Sequence, residues 1–318
     1  MSSKQPVRQL TRYVAEIDEG GLGAVDAVRV SERKSNLWLD AWRDLRSRWM
    51  FWVSAAAILF IIFVALFPTV FTGEDPRYCE LGRSNAGPEP GHPMGFTKLG
   101  CDVFARVIYG TSTSLSVGII VTILTAVMGI VIGAFAGYFG GWLDSLLMRI
   151  GDMFFAIPYV LAAVVIMSIF LHDRNIWVIS LAIGFFAWPS TARILRSEIL
   201  RVKQSDFVMA SEALGLSRVR TMFTHVLPNS IAPVIIISTV GLAAAITAEA
   251  TLSFLGVGLP NNVFMSWGND ISFAQTYIRT DPMPLIYPSI ALSVTVLSFI
   301  LLGEVVRDAL DPKARALR

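Results

Sequence analysis

Long apolar runs alternate with polar stretches along the chain. A helix needs roughly 20 mostly apolar residues to cross the hydrocarbon core of a membrane, and six runs are that long. Because each run is continuously apolar, it indicates a helix rather than a barrel strand, which would alternate over about ten residues. The pattern therefore predicts an all-α polytopic membrane protein with six transmembrane helices, at 50–71, 111–139, 153–171, 176–195, 230–258 and 285–306.

Composition agrees with this interpretation. Of the 318 residues, 54% are hydrophobic and only 16% are charged, whereas an average soluble domain has about 25% charged residues. The first 49 residues are polar. The first apolar run is too long and begins too late for a cleaved signal segment, so we expect it to stay as a membrane anchor.

The positions of Lys and Arg predict the orientation, because cytoplasmic loops are enriched in these residues. If both termini are cytoplasmic, 20 of the 26 lie on the inner side and 6 on the outer side. We therefore predict cytoplasmic termini, including a tail at 311–318, and a transmembrane domain over 50–310. Its main loops are two outer loops at 72–111 and 259–284 and one cytoplasmic loop at 196–229.

The cytoplasmic N-terminal region, residues 1–49, contains one amphipathic segment at 37–49. Large apolar residues lie near one side of its predicted helix: Leu37, Trp38, Trp42, Leu45 and Trp49. The pattern is typical of an interfacial helix in contact with membrane lipid. An ordinary aromatic and basic flank of the first span has the same composition, and the residues leave both interpretations open.

The most distinctive polar stretch runs from Ser205 to Pro228. It contains a helix-favouring run, Gly215 and a second helix-favouring run. Ser205 or Asp206 is suited to cap the first helix, and Gly215 is suited to end it. Two short helices around a glycine predict a loop with a defined shape, suited to docking against a partner in the aqueous phase.

Both cysteines, Cys79 and Cys101, lie in the first predicted outer loop, separated by a Gly- and Pro-rich segment. Because an extracytoplasmic loop faces an oxidising compartment, we predict a disulfide; two free thiols are the alternative. His92 and two cysteines make an incomplete zinc set at unusual spacing. We predict no metal site.

Glu249 is the ionisable residue that lies well inside a predicted span. A charge there is costly, so it faces a cavity or a partner. One interpretation places Glu249, with Ser253, on a translocation pathway; the other is a buried hydrogen bond that fixes helix packing. In the last outer loop, Ser266–Asp270 predicts a short helix on the outer surface with Trp267 at the membrane boundary.

Three further patterns concern packing. Gly129, Gly133 and Gly137 form a ridge that permits close helix approach, best explained by packing within the chain. Arg149 and Asp152 are spaced to pair across one helical turn. Pro158 and Pro189 fall inside predicted spans, where a kink is expected.

The sequence contains no Gly-x-x-x-x-Gly-Lys-Ser/Thr loop, so it offers no recognisable means of binding ATP phosphates. It also contains no Gly-x-Ser-x-Gly elbow and no His-Glu-x-x-His motif. These observations argue against an enzyme. We expect no cofactor in this chain and no nucleic-acid partner.

The loop at 205–228 resembles the Glu-Ala-Ala loop of binding-protein-dependent ABC importer permeases. That pattern is Glu-Ala-Ala, three residues, Gly, nine residues, Ile, one residue and Leu-Pro. The spacing is intact here, with Met209-Ala210-Ser211, Gly215, His225 and Leu227-Pro228 at these positions. Met209 replaces the Glu, and Glu212 stands three places too late to be its equivalent. A salt bridge from that Glu is therefore not expected.

Other segments resemble the C-type permease subunit of dipeptide and oligopeptide transporters. They are Trp38–Leu45, His92–Gly95, Leu99–Gly110, Ala248–Gly256 and Ser266–Gly268. Cys101 stands where those permeases usually have Arg. The resemblance implies a type I ABC importer permease fold in the inner or plasma membrane. It also implies a second permease subunit, two cytoplasmic ATPases that bind ATP and Mg, and an extracytoplasmic substrate-binding protein.

The resemblance further implies a coupling helix that docks on an ATPase. The residues assigned to this coupling site are Ser205, Asp206, Phe207, Met209, Ala210, Ser211, Gly215, Leu227 and Pro228. The implied substrates are oligopeptides or dipeptides. Nickel importers share the same features and remain an alternative, as does a stand-alone secondary transporter driven by an ion gradient through Glu249.

Overall fold

The computed structural model describes residues 37–310, and this part of the chain is helical, with isolated β-bridges in the first outer loop. The helices are α1 (Leu37–Ser47), α2 (Trp49–Leu66), α3 (Val103–Phe139), α4 (Gly141–Ala156), α5 (Tyr159–Ile169), α6 (Ile176–Val202), α7 (Asp206–Ala213), α8 (Arg218–Thr221), α9 (Leu227–Ser230), α10 (Ala232–Phe254), α11 (Trp267–Ala274) and α12 (Met283–Leu310).

Five of these helices are long and apolar enough to cross a membrane: α2, α3, α6, α10 and α12. The pair α4 and α5 provides a sixth span if its two bent parts are counted together. The polytopic helical fold predicted from the sequence is confirmed.

The third predicted span, 153–171, is wrong in its bounds. In the structure α4 begins at Gly141, and the chain bends by 78° between α4 and α5. Ile157, which precedes Pro158, is extended, with φ −93° and ψ 120°. A residue before proline disfavours the helical conformation, which explains the break. Pro189, by contrast, lies inside the continuous helix α6.

Two predicted loops are shorter than expected. Helix α3 begins at Val103 rather than after 111, because the Asp102 carboxylate accepts the Phe104 backbone N–H at 2.9 Å and caps the helix. Helix α6 continues to Val202, so the cytoplasmic loop begins after that residue rather than at 196. Arg196 in this extension is paired with Asp144 of α4.

The predicted pairing of Arg149 with Asp152 is also wrong. Asp152 accepts a hydrogen bond from Arg193 of α6 at 2.6 Å. The Arg193 guanidinium also lies 4.5 Å from the centre of the Phe155 ring. Because α6 packs beside α4, Arg193 of α6 pairs with Asp152, the residue that sequence spacing had assigned to Arg149.

The glycine ridge of α3 packs against α6, which confirms the predicted role within the chain. A Cβ atom added at Gly129 would lie 2.6 Å from the Thr191 side chain, and one at Gly133 would lie 2.6 Å from the Ala192 carbonyl oxygen. A Cβ atom added at Gly137 would lie 3.0 Å from the Arg196 carbonyl oxygen. Small residues on α3 therefore allow its backbone to contact the backbone of α6 closely.

The amphipathic N-terminal segment forms a separate helix, α1, that ends before the extended residue Arg48. Arg48 binds Asp44 of α1 and Asp308 of α12, each at 2.8 Å. Trp42 is half exposed. This geometry favours an independent helix over a continuous flank of α2. The rest of the predicted N-terminal region, 1–36, and the tail 311–318 lie outside the described residues.

Candidate functional site

The loop between α6 and α10 contains two helical segments joined at Gly215. The Gly215 N–H donates to the Glu212 carbonyl at 3.0 Å, and the Leu216 N–H donates to the Ser211 carbonyl at 3.2 Å. Gly215 has a φ of +84°, a left-handed conformation that favours glycine. These bonds close α7 with a glycine C-terminal motif, and the helix ends where the sequence predicted.

The start of α7 differs from the prediction in one detail. Ser205 is the N-cap residue, but its hydroxyl makes no capping hydrogen bond within residues 37–310. Its carbonyl instead accepts the backbone N–H groups of Val208 and Met209, at 3.0 and 3.2 Å. Asp206 lies in the first turn, where a carboxylate interacts favourably with the positive end of the helix dipole.

The second half of the loop is an irregular helix. Helix α8 continues into a π-helical turn at Met222–Val226, which leads into α9. Pro228 lies two residues after this turn, in the first turn of α9. Proline lacks a backbone N–H, and its ring clashes with the carbonyl four residues earlier in an α-helix. The wide turn before Pro228 relieves that clash, and turns of this kind occur frequently at functional sites.

One face of the loop is fixed to the membrane helices. Val208, Met222 and Val226 are at most 1% exposed and belong to a cluster with residues of α3, α6 and α10. The Tyr138 hydroxyl of α3 donates to the Glu212 carboxylate at 3.2 Å. Glu212 therefore makes a contact within the chain.

Other side chains of the loop are apolar and exposed on the surface of this chain. Phe207 is 46% exposed, Met209 53% and Leu214 82%. Val219 and Phe223, after Gly215, are also more than half exposed. Single exposed apolar residues are ordinary, but five on one loop outside the candidate spans make this loop a candidate surface for contact with another protein. We refer to these five as the exposed loop side chains.

A cavity of about 450 Å³ lies among α3, the break between α4 and α5, α6 and α10. Its lining is mostly apolar and also includes aromatic rings and hydroxyl groups, among them Thr125, Phe154, Tyr159, Phe186, Ser190 and Ser238. The middle parts of three candidate spans contribute to it, so it lies within the membrane-spanning part of the chain.

Comparison with known families agrees with this architecture. Residues 129–316 match the family described as the binding-protein-dependent transport system inner membrane component. Residues 36–88 match the N-terminal TM domain of oligopeptide transport permease C. The chain belongs to this permease family. It is an integral, multi-pass protein of the inner membrane.

Three related permeases illustrate the similarity along the chain. The dipeptide transport system permease protein DppC of Alkalihalophilus pseudofirmus is 34% identical, over 88% of this chain and 91% of its own length. The oligopeptide transport system permease protein OppC of Bacillus subtilis is 32% identical, over 92% and 95%. The glutathione transport system permease protein GsiD of Salmonella typhimurium is 36% identical, over 87% and 91%.

A solved structure with the same fold is the inward-facing MetNI methionine ABC transporter. Its match has a TM-score of 0.53 at 17% identity and covers 64% of this permease and 96% of that chain. The type I permease fold implied by the sequence resemblance is therefore confirmed.

The position of Glu249 favours packing over a pathway role. Glu249 is fully buried in α10, outside the lining of the cavity. Ser253 donates to its Oε1 atom at 2.9 Å, and Ser114 of α3 lies 3.3 Å from its Oε2 atom. Their polar groups are enclosed and bonded to one another, as the packing interpretation predicts, and the pathway role of Glu249 and Ser253 stays a prediction.

Helix α11 is buried, which corrects the predicted position of Trp267 at the membrane boundary. Trp267 is 1% exposed, and its Nε1–H donates to the Val107 carbonyl at 3.0 Å. A Cβ atom at Gly268 would lie 2.5 Å from the Ala250 Cα atom. The glycine after the tryptophan thus lets α11 insert against α10 instead of resting on the surface.

The sequence interpretation missed a buried ion pair at the outer end of the permease. Arg106 Nε donates to Asp270 Oδ1 at 2.7 Å, and Arg106 also donates to the side-chain oxygen of Asn261. Both charged side chains are less than 10% exposed. Burial raises the pKa of Asp270 above its ordinary value, and the Arg106 charge opposes that rise. The partners are 164 residues apart, so no local spacing pointed to them.

The first outer loop contains the Cys79–Cys101 disulfide, which confirms that prediction. Gly100, beside the bridge, has a φ of +76°, and a Cβ atom there would overlap the Glu80 carbonyl. His92 Nδ1 lies 3.1 Å from the Asp102 carboxylate at the start of α3. The bridge and this contact attach a Gly- and Pro-rich segment to a membrane helix.

Proposed function

We propose that this permease is a transmembrane subunit of an ATP-driven ABC importer for oligopeptides or dipeptides, forming half of the translocation pathway. The three relatives described above are named for dipeptide, oligopeptide and glutathione transport. Their common substrate class favours peptides over nickel, the alternative ligand class. An extracytoplasmic binding protein would deliver the peptide, and a second permease subunit would supply the other half of the pathway.

The observation that carries this proposal is the two-sided loop between α6 and α10. Its buried side contacts α3, α6 and α10, while its exposed loop side chains are available to a partner. Movement of an ATPase bound to α7 would therefore be transmitted to α3, α6 and α10 together. The ATPases would bind ATP and Mg, since the permease sequence has no phosphate-binding loop.

The test is reconstitution of the permease with its second permease subunit, two ATPases and the binding protein in proteoliposomes. The proposal predicts ATP hydrolysis stimulated by peptide-loaded binding protein, with vanadate-sensitive peptide uptake. Uptake of nickel without peptide would favour the alternative substrate. Vanadate-insensitive uptake driven by a proton gradient would contradict the ATP-driven mechanism.

A further inference from the structure

Tyr138 lies where α3, α6 and α7 meet. It is the penultimate residue of α3 and is 3% exposed. Its hydroxyl donates to the Glu212 carboxylate of α7 at 3.2 Å, and its carbonyl accepts a hydrogen bond from Lys203 Nζ at 2.7 Å. Lys203 directly follows α6, and its Nζ atom lies 5.5 Å from the centre of the Tyr138 ring. One residue therefore binds α7 with its side chain and the end of α6 with its backbone.

The bond between Tyr138 and Glu212 limits how α7 can move against the membrane helices. Within residues 37–310, it is the one hydrogen bond or ion pair between an α7 side chain and another helix, since the Ser211 hydroxyl donates to carbonyls of α7 itself. Val208 of α7 is buried through apolar contacts, which are not directional. A hydrogen bond weakens steeply as its angle changes. The Tyr138–Glu212 bond therefore opposes sliding and rotation that Val208 alone would permit.

Tyr138 also lies beside the turn that joins α3 to α4. Gly140 and Gly141 form this turn with φ values of +66° and +60°, a left-handed conformation that favours glycine. Helix α4 then leads to the 78° break, where Ile157 and Pro158 border the cavity. A displacement of Tyr138 therefore moves the junction of α3 and α4, and α4 connects that junction to the cavity.

We propose that Tyr138 is a positioning residue that transmits movement of α7 to the junction of α3 and α4 through its hydrogen bond to Glu212. Like the proposed function on which it rests, this role requires a partner ATPase that moves α7. Glu212 stands outside the residues that the permease loop pattern aligns, which are Met209–Ser211 and Gly215. The role of the pair therefore comes from its contact and not from that pattern.

The test is the number of peptides imported per ATP hydrolysed by the complete reconstituted importer, with Tyr138→Phe as the main variant. Phenylalanine keeps the buried ring and removes the hydroxyl, and Tyr138 is too enclosed to contact the ATPase itself. We expect uptake per ATP to fall at least about threefold, because a hydrogen bond to a charged group contributes a factor of about ten to an equilibrium constant. ATP hydrolysis and affinity for the ATPase should not change.

Substitutions at Glu212 separate the hydrogen bond from the charge. Glu212→Ala should match Tyr138→Phe, and combining the two should cause no further loss, because both remove one interaction. Glu212→Gln keeps an oxygen that accepts the tyrosine hydroxyl, so it should retain most of the uptake per ATP. Glu198→Ala is the matched control, since Glu198 pairs with Arg201 inside α6; uptake per ATP should equal that of the native permease.

Cross-linking gives a measurement that a purely structural role would not move. Cys79 and Cys101 are bonded to each other, and the sequence has no other cysteine. A short bismaleimide therefore reacts, in this permease, only with thiols introduced by Tyr138→Cys and Glu212→Cys together. The unlinked double variant should import few peptides per ATP, and the covalent bridge should restore import.

Three results would overturn this role and leave ATP-driven import standing. They are native uptake per ATP in Tyr138→Phe, a loss in Glu212→Gln as large as in Glu212→Ala, and no recovery on cross-linking. A parallel fall of hydrolysis and uptake in Tyr138→Phe would also overturn it, because the bond would then support only the fold. Absence of ATP-dependent peptide uptake by the native complex would instead overturn the proposed function.

Discussion

The outer end of the permease encloses charged side chains, whereas the loop between α6 and α10 exposes apolar ones. At the outer end, Arg106, Asp270 and Glu249 are enclosed, and each is bonded to a partner within the chain. In the loop, Phe207 and Leu214 are apolar and exposed. The outer end thus pairs these three side chains within one chain, whereas the loop leaves apolar surface that another protein can cover.

This difference separates stability from assembly. Changes at the outer end should lower the free energy of unfolding of the isolated permease. Changes on the exposed side of the loop should leave folding intact and act only when partners are present.

Replacing Arg106 with Met should destabilise the permease by about 3–5 kcal/mol, because it leaves the buried Asp270 carboxylate without its cation. Denaturant unfolding of the purified protein measures the change. The matched control is Arg193→Met, whose ion pair with Asp152 is more exposed and should be worth at most about 1 kcal/mol. Equal losses in the two variants would contradict the importance of burial.

The Arg106→Met loss should also depend on pH. Burial raises the folded-state pKa of Asp270, and removing the Arg106 charge raises it further. An acid whose folded pKa lies above its unfolded value loses stability as pH rises from about 3.9 through the folded pKa. The deficit should therefore be smaller at acidic pH than at neutral pH. A pH-independent deficit would show that Asp270 is not the cause.

Removing the outer disulfide should have the next largest effect. The double variant Cys79→Ser and Cys101→Ser should lose about 3 kcal/mol, the chain-entropy value for a loop of this size. Reductant should destabilise the native permease by a similar amount and leave the double variant unchanged. A reductant effect on the double variant would mean that reduction acts elsewhere.

Gly133→Ala should cost about 1–3 kcal/mol, because the new methyl group meets the Ala192 carbonyl of α6. Gly241→Ala in α10 is the matched control, since nothing lies within 4 Å of a Cβ atom there. That control should be neutral or stabilising in unfolding measurements. If both variants behave alike, close packing of α3 on α6 is not what the glycine ridge provides.

Met209→Asp should have the smallest effect on folding, within about 0.5 kcal/mol, because Met209 is exposed on α7. The affinity of this variant permease for the ATPase should nevertheless fall by about tenfold, because a charged side chain replaces the apolar Met209 at the contact. Binding of purified ATPase to the permease in nanodiscs measures this change. Loss of folding with unchanged binding would reverse the proposed division between the two regions.

Local chemistry explains which features were predictable. Continuous apolar runs predicted the spans, Gly215 predicted the end of α7, and two outer cysteines predicted their bridge. Pro158 predicted a disturbance but not its size, because the angle between α4 and α5 depends on packing against α6. Each successful prediction depended on residues close in sequence or on a compositional rule.

The features that were missed or wrong depend on distant contacts. The Arg106–Asp270 pair joins α3 to α11, and Trp267 is buried because Gly268 allows α11 to approach α10. Glu249 has the same sequence signal whether it faces a pathway or a packing interface. Only its contacts with Ser114 and Ser253 distinguish the two.

The central claim is that the loop between α6 and α10 transmits a partner's ATP hydrolysis to the membrane helices. The direct measurement is the number of peptides imported per ATP hydrolysed in the reconstituted complex, for the native permease, Gly215→Pro and Ala210→Trp. Gly215→Pro disrupts the left-handed end of α7, and Ala210→Trp places a bulky ring on its exposed surface. The account predicts continued hydrolysis with little uptake in both variants, and normal uptake per ATP in both would contradict it.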